Sequence, residues 1–216
     1  MPNKVIIIGA GPYGLSLAAH LRSRGVGFRI FGEPMGNWRH KMPRGMLLKS
    51  EGFASNLAAP ADALTLGDFC AANALPYEDE GLPVPRDTFI DYGCEFQRSF
   101  VPEVEERRVV ALRISGDNFA VRLDDGEIVT AGRVVVAIGV SDFAFMPPCL
   151  AALPGEFASH AAAHEDLEKF AGRSVAVIGG GSSSPTISAV CAATSPTANP
   201  GAWSMICSAI CRPSSI

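Results

Sequence analysis

The tightest constraint on this chain is a glycine-spaced turn near its start, Gly9-Ala10-Gly11-Pro12-Tyr13-Gly14, set between an apolar run and an amphipathic segment. Lys4 to Ile8 reads as a buried strand, and about Tyr13 to Ser23 as a helix whose Leu17, Ala18 and Leu21 form one apolar stripe. Gly25 closes that helix, and Phe28 to Phe31 reads as a second strand that completes a βαβ start. In such a unit the first glycine makes the tight turn, the second lets backbone amides approach a pyrophosphate, and the third lets helix and strand pack closely. The helix N-terminus turns its free N–H groups and its dipole toward the phosphates. The spacing therefore predicts a dinucleotide site built on Gly9, Gly11, Pro12, Tyr13 and Gly14. A ribose-binding acid normally ends the second strand; here Glu33 arrives about one residue late and is the best candidate, with a solvated loop acid as the other reading.

The rest of the chain follows the same α/β logic until it breaks. Residues 32–105 read as loop-rich, with short helices over Leu66 to Asn73 and Arg86 to Phe100. Alternation returns at Val110 to Ile114 and at Asn118 to Leu123, followed by a turn at Asp124-Asp125-Gly126. Val134 to Ile138 then runs up to Gly139, so a hairpin or three-stranded meander feeds back into a parallel sheet. After a connector, Ser174 to Ile178 gives another buried strand that ends in Gly179-Gly180-Gly181. The predicted fold class is α/β: a Rossmann-like dinucleotide-binding domain, parallel sheet plus β-meander, with the start of a second, incomplete Rossmann unit.

Composition excludes several other classes. The 18 Lys+Arg against 22 Asp+Glu give a net charge of −4, so no basic excess points to a nucleic-acid partner. No apolar stretch approaches the ~20 residues of a spanning helix, which makes a cytoplasmic protein without a membrane partner the default expectation. The six cysteines include no Cys-x-x-Cys pair and no zinc-like cluster, which argues against a dithiol redox centre and against a metal. His160 and His164 lie four apart, a spacing that shares one face in a helix, but no Cys or third ligand accompanies them.

The motifs also resemble a known family. GAGPYGLSLAAHLRSRGV, then FGEPMGNWRHKMPRGMLLKS, the strand-end VVVAIGV and a second VAVIGGG are similar, over about residues 4–184, to bacterial flavin-dependent monooxygenases. That family includes flavin-containing and Baeyer–Villiger-type monooxygenases and the lysine/ornithine N-hydroxylases, which bind FAD first and NADPH second. Carried over by position, the resemblance implies that Gly9, Gly11 and Gly14 hold the FAD pyrophosphate, that Trp38 covers part of the flavin, and that Lys49 and Ser50 offer donors near its polar edge. Ala137-Ile138-Gly139 stands where the family has Ala-Thr-Gly, with Gly139 letting the chain pass close to the dinucleotide. The connector from Phe157 to Asp166 resembles the segment before the NADPH fingerprint, although Ser159 stands where the stricter monooxygenase pattern has histidine. Gly179, Gly181, Ser182 and Ser183 belong to that second fingerprint.

By resemblance, NADPH reduces FAD, and reduced flavin captures O2 as a hydroperoxide that oxygenates a small nucleophilic substrate. No residue is nominated as general acid or base. Two other readings stay open: a flavin reductase or pyridine nucleotide-dependent oxidoreductase without oxygen transfer, and a non-catalytic nucleotide-binding module. Nothing in the sequence sets an oligomeric state.

Pro185 enters where the helix of the second fingerprint should propagate, and neither a strand nor a ribose acid is expected after it. From Ser182 to Ile216 there is no acid and one basic residue, Arg212, among nine serines. Back-translated with codons ending in C or G and read two bases on, Ala202 to Ser214 becomes LEHDLLRHLPAE, a charge-bearing amphipathic pattern. The expectation is a frameshift near codon 182 that removes the family's return to the FAD domain. The expected division is thus residues 1–150 as an incomplete FAD-binding domain, 151–184 as connector and start of the NAD(P)-binding domain, and 185–216 as an aberrant low-complexity tail.

Overall fold

The computed structural model describes residues 3–170, 174–178 and 203–207. These divide into two compact units: residues 1–39 with 50–139, and residues 40–49 with 140–216. The division falls after Gly139, eleven residues before the expected one, and the short segment 40–49 groups with the second unit.

In the first unit, β1 (Asn3–Ile8) leads into α1 (Pro12–Ser23), which returns to β2 (Phe28–Phe31). After the short α2 (Gly36–His40) come α3 (Leu66–Ala72) and α4 (Arg86–Phe100). β3 (Val109–Ser115), β4 (Asn118–Leu123) and β5 (Ile128–Val136) follow. The five strands form one sheet in the order β2-β1-β5-β4-β3. β1 is parallel to both β2 and β5, whereas β3, β4 and β5 run antiparallel as a meander.

β5 does two jobs, and it starts six residues before the Val134 from which the sequence pattern reads a strand. Its first half pairs with β4 through Phe119↔Ala131, and its second half pairs with β1 through Ile8↔Val136. Ala131 belongs to both ladders, with Asn3 as its parallel partner. On one face of this seam Ile6, Phe31, Val121, Leu123, Val129 and Ala131 are buried together, and the alternate positions Ile7 and Ile30 are fully buried on the other. Burying such side chains is the main favourable term of the unit, ~1.5–3 kcal/mol for each large aliphatic or aromatic group.

Ion pairs tie the open side of the sheet. Glu105 bridges beside Phe31, and its carboxylate takes a bidentate contact from Arg29, with both nitrogen–oxygen distances 2.6 Å. Arg29 also reaches Glu127 at 2.8 Å, and its guanidinium lies 4.8 Å from the centre of the Phe31 ring. The bond from Arg29 holds the Glu105 carboxyl below the usual carboxylate range.

The second unit holds α5 (Pro148–Ala151), β6 (Ala158–His160), β7 (Ser174–Ile178) and β8 (Trp203–Cys207). Its three strands are parallel, in the order β6-β8-β7. This corrects the expectation of no strand after the second fingerprint, since Trp203–Cys207 is the middle strand. An inner strand of a parallel sheet needs no polar–apolar alternation, so a search for period two passes over a short run such as WSMIC.

Candidate functional site

β1 and α1 meet at the glycine turn, and the close approaches there explain two of its glycines. A Cβ built on Gly14 would stand 1.9 Å from the Gly9 carbonyl oxygen, and one on Gly9 would stand 2.4 Å from the Ala137 carbonyl oxygen. Gly9 also has a φ of +112°, which side chains rarely adopt. Gly11 differs, because a Cβ there would meet nothing within 4 Å. Close backbone packing therefore accounts for both, Gly14 of α1 against the turn and Gly9 against the chain leaving β5, while Gly11 faces open space at the helix N-cap. Pro12 is the first helical residue, no side chain caps the helix and its first turn holds no acid. Tyr13 is 87% exposed beside it. Uncapped amides, a positive dipole end and open space together form an anion seat.

The segment after β2 is bonded to this turn. Met35 donates its N–H to the Ala10 carbonyl at 3.0 Å, and its own carbonyl accepts from Trp38 and Arg39 at 2.9 and 3.0 Å. Glu33 is exposed, with its carboxylate 3.7 Å from the Arg39 guanidinium. Arg39 in turn donates to the Cys94 thiol at 2.9 Å, and that bond is the chief reason its charged form is favoured above the ordinary. Trp38 is half-buried and meets the Phe89 ring edge-on, with centres 4.6 Å apart.

A third segment closes the cradle. Asn37 donates its side-chain N–H to the Ile138 carbonyl at 2.7 Å, which fixes α2 against the strand-end turn. Gly139 lies there with φ +74°, and a Cβ on it would crowd the Asn37 amide nitrogen at 2.9 Å.

Thus the fold draws together Gly9, Gly11, Pro12, Tyr13, Gly14, Glu33, Trp38 and Gly139 from three separated stretches. Ser50 pairs with Ser55 hydroxyl to hydroxyl at 2.7 Å. Lys49 is exposed and groups with the second unit. Gly179, Gly181, Ser182 and Ser183 lie outside the described residues. Sequence reasoning missed Met35 and Asn37. The Asn37 role had a trace in the Gly36-Asn37-Trp38 tripeptide; Met35, a buried residue with φ +58°, had none.

In the second unit a cleft of about 430 Å³ is lined by His40, Lys41, Asp142, His160 and Glu165 among others, and Lys41 pairs with Asp142 across it. His160 ends β6, and its Nδ1 accepts the Ala162 N–H at 3.0 Å, so the two histidines do not share a helical face. His164 is buried against Phe170, with its Nε2 2.7 Å from the Ser159 hydroxyl and its Nδ1 without a partner. Burial, and then the charge of Lys169, push its pKa down to about 4. Among the described residues no cluster of three metal-ligating side chains occurs, and no helix is long and apolar enough to cross a membrane.

Known proteins place this architecture. The pyridine nucleotide-disulphide oxidoreductase family matches residues 6–195. An indole-3-pyruvate monooxygenase from Oryza sativa subsp. japonica is 30% identical over 198 residues, covering 85% of this chain and 43% of that protein. The structure of a flavin-containing monooxygenase from Stenotrophomonas maltophilia matches with TM-score 0.71 at 25% identity, over 94% of this chain and 57% of that one. A bacillithiol disulfide reductase from Staphylococcus aureus, 17% identical, shares the fold with TM-score 0.70 over 99% of this chain and 61% of its own. The chain spans about half the length of the relatives it matches. It belongs to the pyridine nucleotide-disulphide oxidoreductase family and, within it, groups with the flavin-dependent monooxygenases.

Proposed function

We propose that the first unit binds FAD, that the second serves NADPH, and that the whole enzyme is a monooxygenase acting on a small nucleophilic substrate. One observation carries this reading: Gly11 opens onto free space above the uncapped N-terminus of α1, while Gly9 and Gly14 are consumed by packing. That division of labour is what a pyrophosphate seat requires. Glu33 stands where it would accept from ribose hydroxyls, and Trp38 and Gly139 border the same cradle. Bound flavin supplies hydride acceptance and oxygen chemistry; the chain's own residues bind, orient and shield it. Solved relatives of 22% identity were determined with FAD and NADP, or with NADP, bound.

Disulfide chemistry is the weaker reading despite the family's name. The sequence holds no Cys-x-x-Cys pair, and Cys70 and Cys94 are free and buried.

Titration of the purified chain with FAD tests the proposal through quenching of flavin fluorescence. Saturable one-to-one uptake is expected, and it should be lost in Gly11→Asp, which sets a carboxylate against the phosphates. Absence of uptake by the wild-type chain refutes the flavin site. Where uptake holds, NADPH oxidation coupled to oxygen consumption distinguishes an active oxygenase from a binding module.

A further inference from the structure

No residue assigned above to the cofactor lies on α4, yet that helix meets the segment 33–39 at three points. Phe89 packs on Trp38, Gly93 receives Met35, and Cys94 accepts a hydrogen bond from Arg39, which faces Glu33. The middle contact is the strictest. A Cβ at position 93 would stand 2.5 Å from Met35 Sδ and 2.7 Å from both its Cγ and its Cε. Because Cγ clashes as well as the tip, turning the thioether about its outer bonds does not clear the space, and Met35 has to leave its χ1 rotamer in a fully packed site or carry its segment with it. Met35 is fully buried, and its φ of +58° is a conformation that non-glycine residues keep only when their surroundings hold them there. Its N–H is bonded to Ala10 inside the glycine turn, and its carbonyl receives Trp38 and Arg39. A shift of the Met35 backbone is therefore passed to the phosphate turn on one side and to the segment of Glu33 and Trp38 on the other.

We propose that Gly93 and Met35 are positioning residues, a notch and knob through which α4 sets the placement of Glu33 and Trp38 and hence the affinity for the flavin dinucleotide. This rests on the FAD reading of the first unit. Neither residue touches the ligand in this scheme, and the effect runs through the Met35 backbone.

The test is FAD titration of the full chain as wild type, Gly93→Ala, Met35→Ala and the double variant, with the thermal midpoint of each measured without flavin. Gly93→Ala should raise the Kd about tenfold or more. The double variant should return to within about threefold of wild type, since the new methyl group occupies space that the thioether leaves. Thermal midpoints that fall while affinity stays unchanged mean a purely structural role and overturn the proposal, as does a double variant no better than Gly93→Ala. Should Gly93→Ala fail to fold, Met35→Ala decides instead: it empties the notch and should weaken FAD binding about threefold, and an affinity equal to that of wild type overturns the proposal. Wild type that takes up no FAD refutes the flavin reading, and the proposal falls with it; wild type and Gly93→Ala binding equally well refutes the proposal alone.

Discussion

Single residues explain why the glycine turn was readable from sequence and its supports were not. Gly9 and Gly14 are required by contacts of 2.4 and 1.9 Å to backbone oxygens, so only glycine fits and the motif shows in the sequence. Asn37 acts through one amide bond to Ile138, a hundred residues on, and no local pattern encodes a partner at that separation. Its importance is nonetheless measurable. Replacing Asn37 by Leu removes the bond and leaves the Ile138 carbonyl unanswered, for a loss of about 1–2 kcal/mol of stability. Asn37→Asp, which has the same shape, turns a carboxylate oxygen toward that carbonyl and should be the worse of the two. Thermal unfolding of both variants beside wild type checks the order; asparagine and aspartate of equal stability would mean that the bond carries no weight.

Elements tell a similar story about reach. α4 was legible in its full extent because its apolar residues recur at helical spacing, and a glycine inside it costs ~1 kcal/mol against alanine, which signals a packing reason without naming Met35. Of β5 the sequence pattern shows only the part from Val134 on, because the strand follows the meander up to Ala131 and the parallel ladder after it. The connector after β6 folds as a single turn over Ala161–Ala163 that buries His164. That burial has a pH consequence. A histidine whose folded pKa is lowered to about 4 stays neutral while the unfolded chain takes up a proton below its ordinary value of 6.5. Stability of the second unit should therefore decline as pH falls from about 6.5 to 4 and flatten below that, by up to ~3 kcal/mol in all. His164→Phe fills the same pocket without a titrating group, so urea unfolding followed across that range should lose this part of the slope. A slope unchanged by the substitution would assign the acid sensitivity of the unit to other groups.

At the scale of the molecule, the chain passes between its two units at residues 39–40, 49–50 and 139–140, so ligands for each should act separately. A ligand that binds only the folded first unit stabilises it by RT ln(1 + [L]/Kd), about 2.7 kcal/mol at a hundredfold excess over Kd. Amide exchange that requires opening of the whole unit should then slow about a hundredfold. With FAD present, the protected amides are expected in β1, β2 and β5 and in the turns at 9–15, 35–39 and 137–139. β6 and β7 should exchange as they do without it, and NADPH should reverse the pattern. Hydrogen exchange followed by mass spectrometry resolves these segments directly. Equal slowing of both units by FAD alone would show that they open together as one cooperative body.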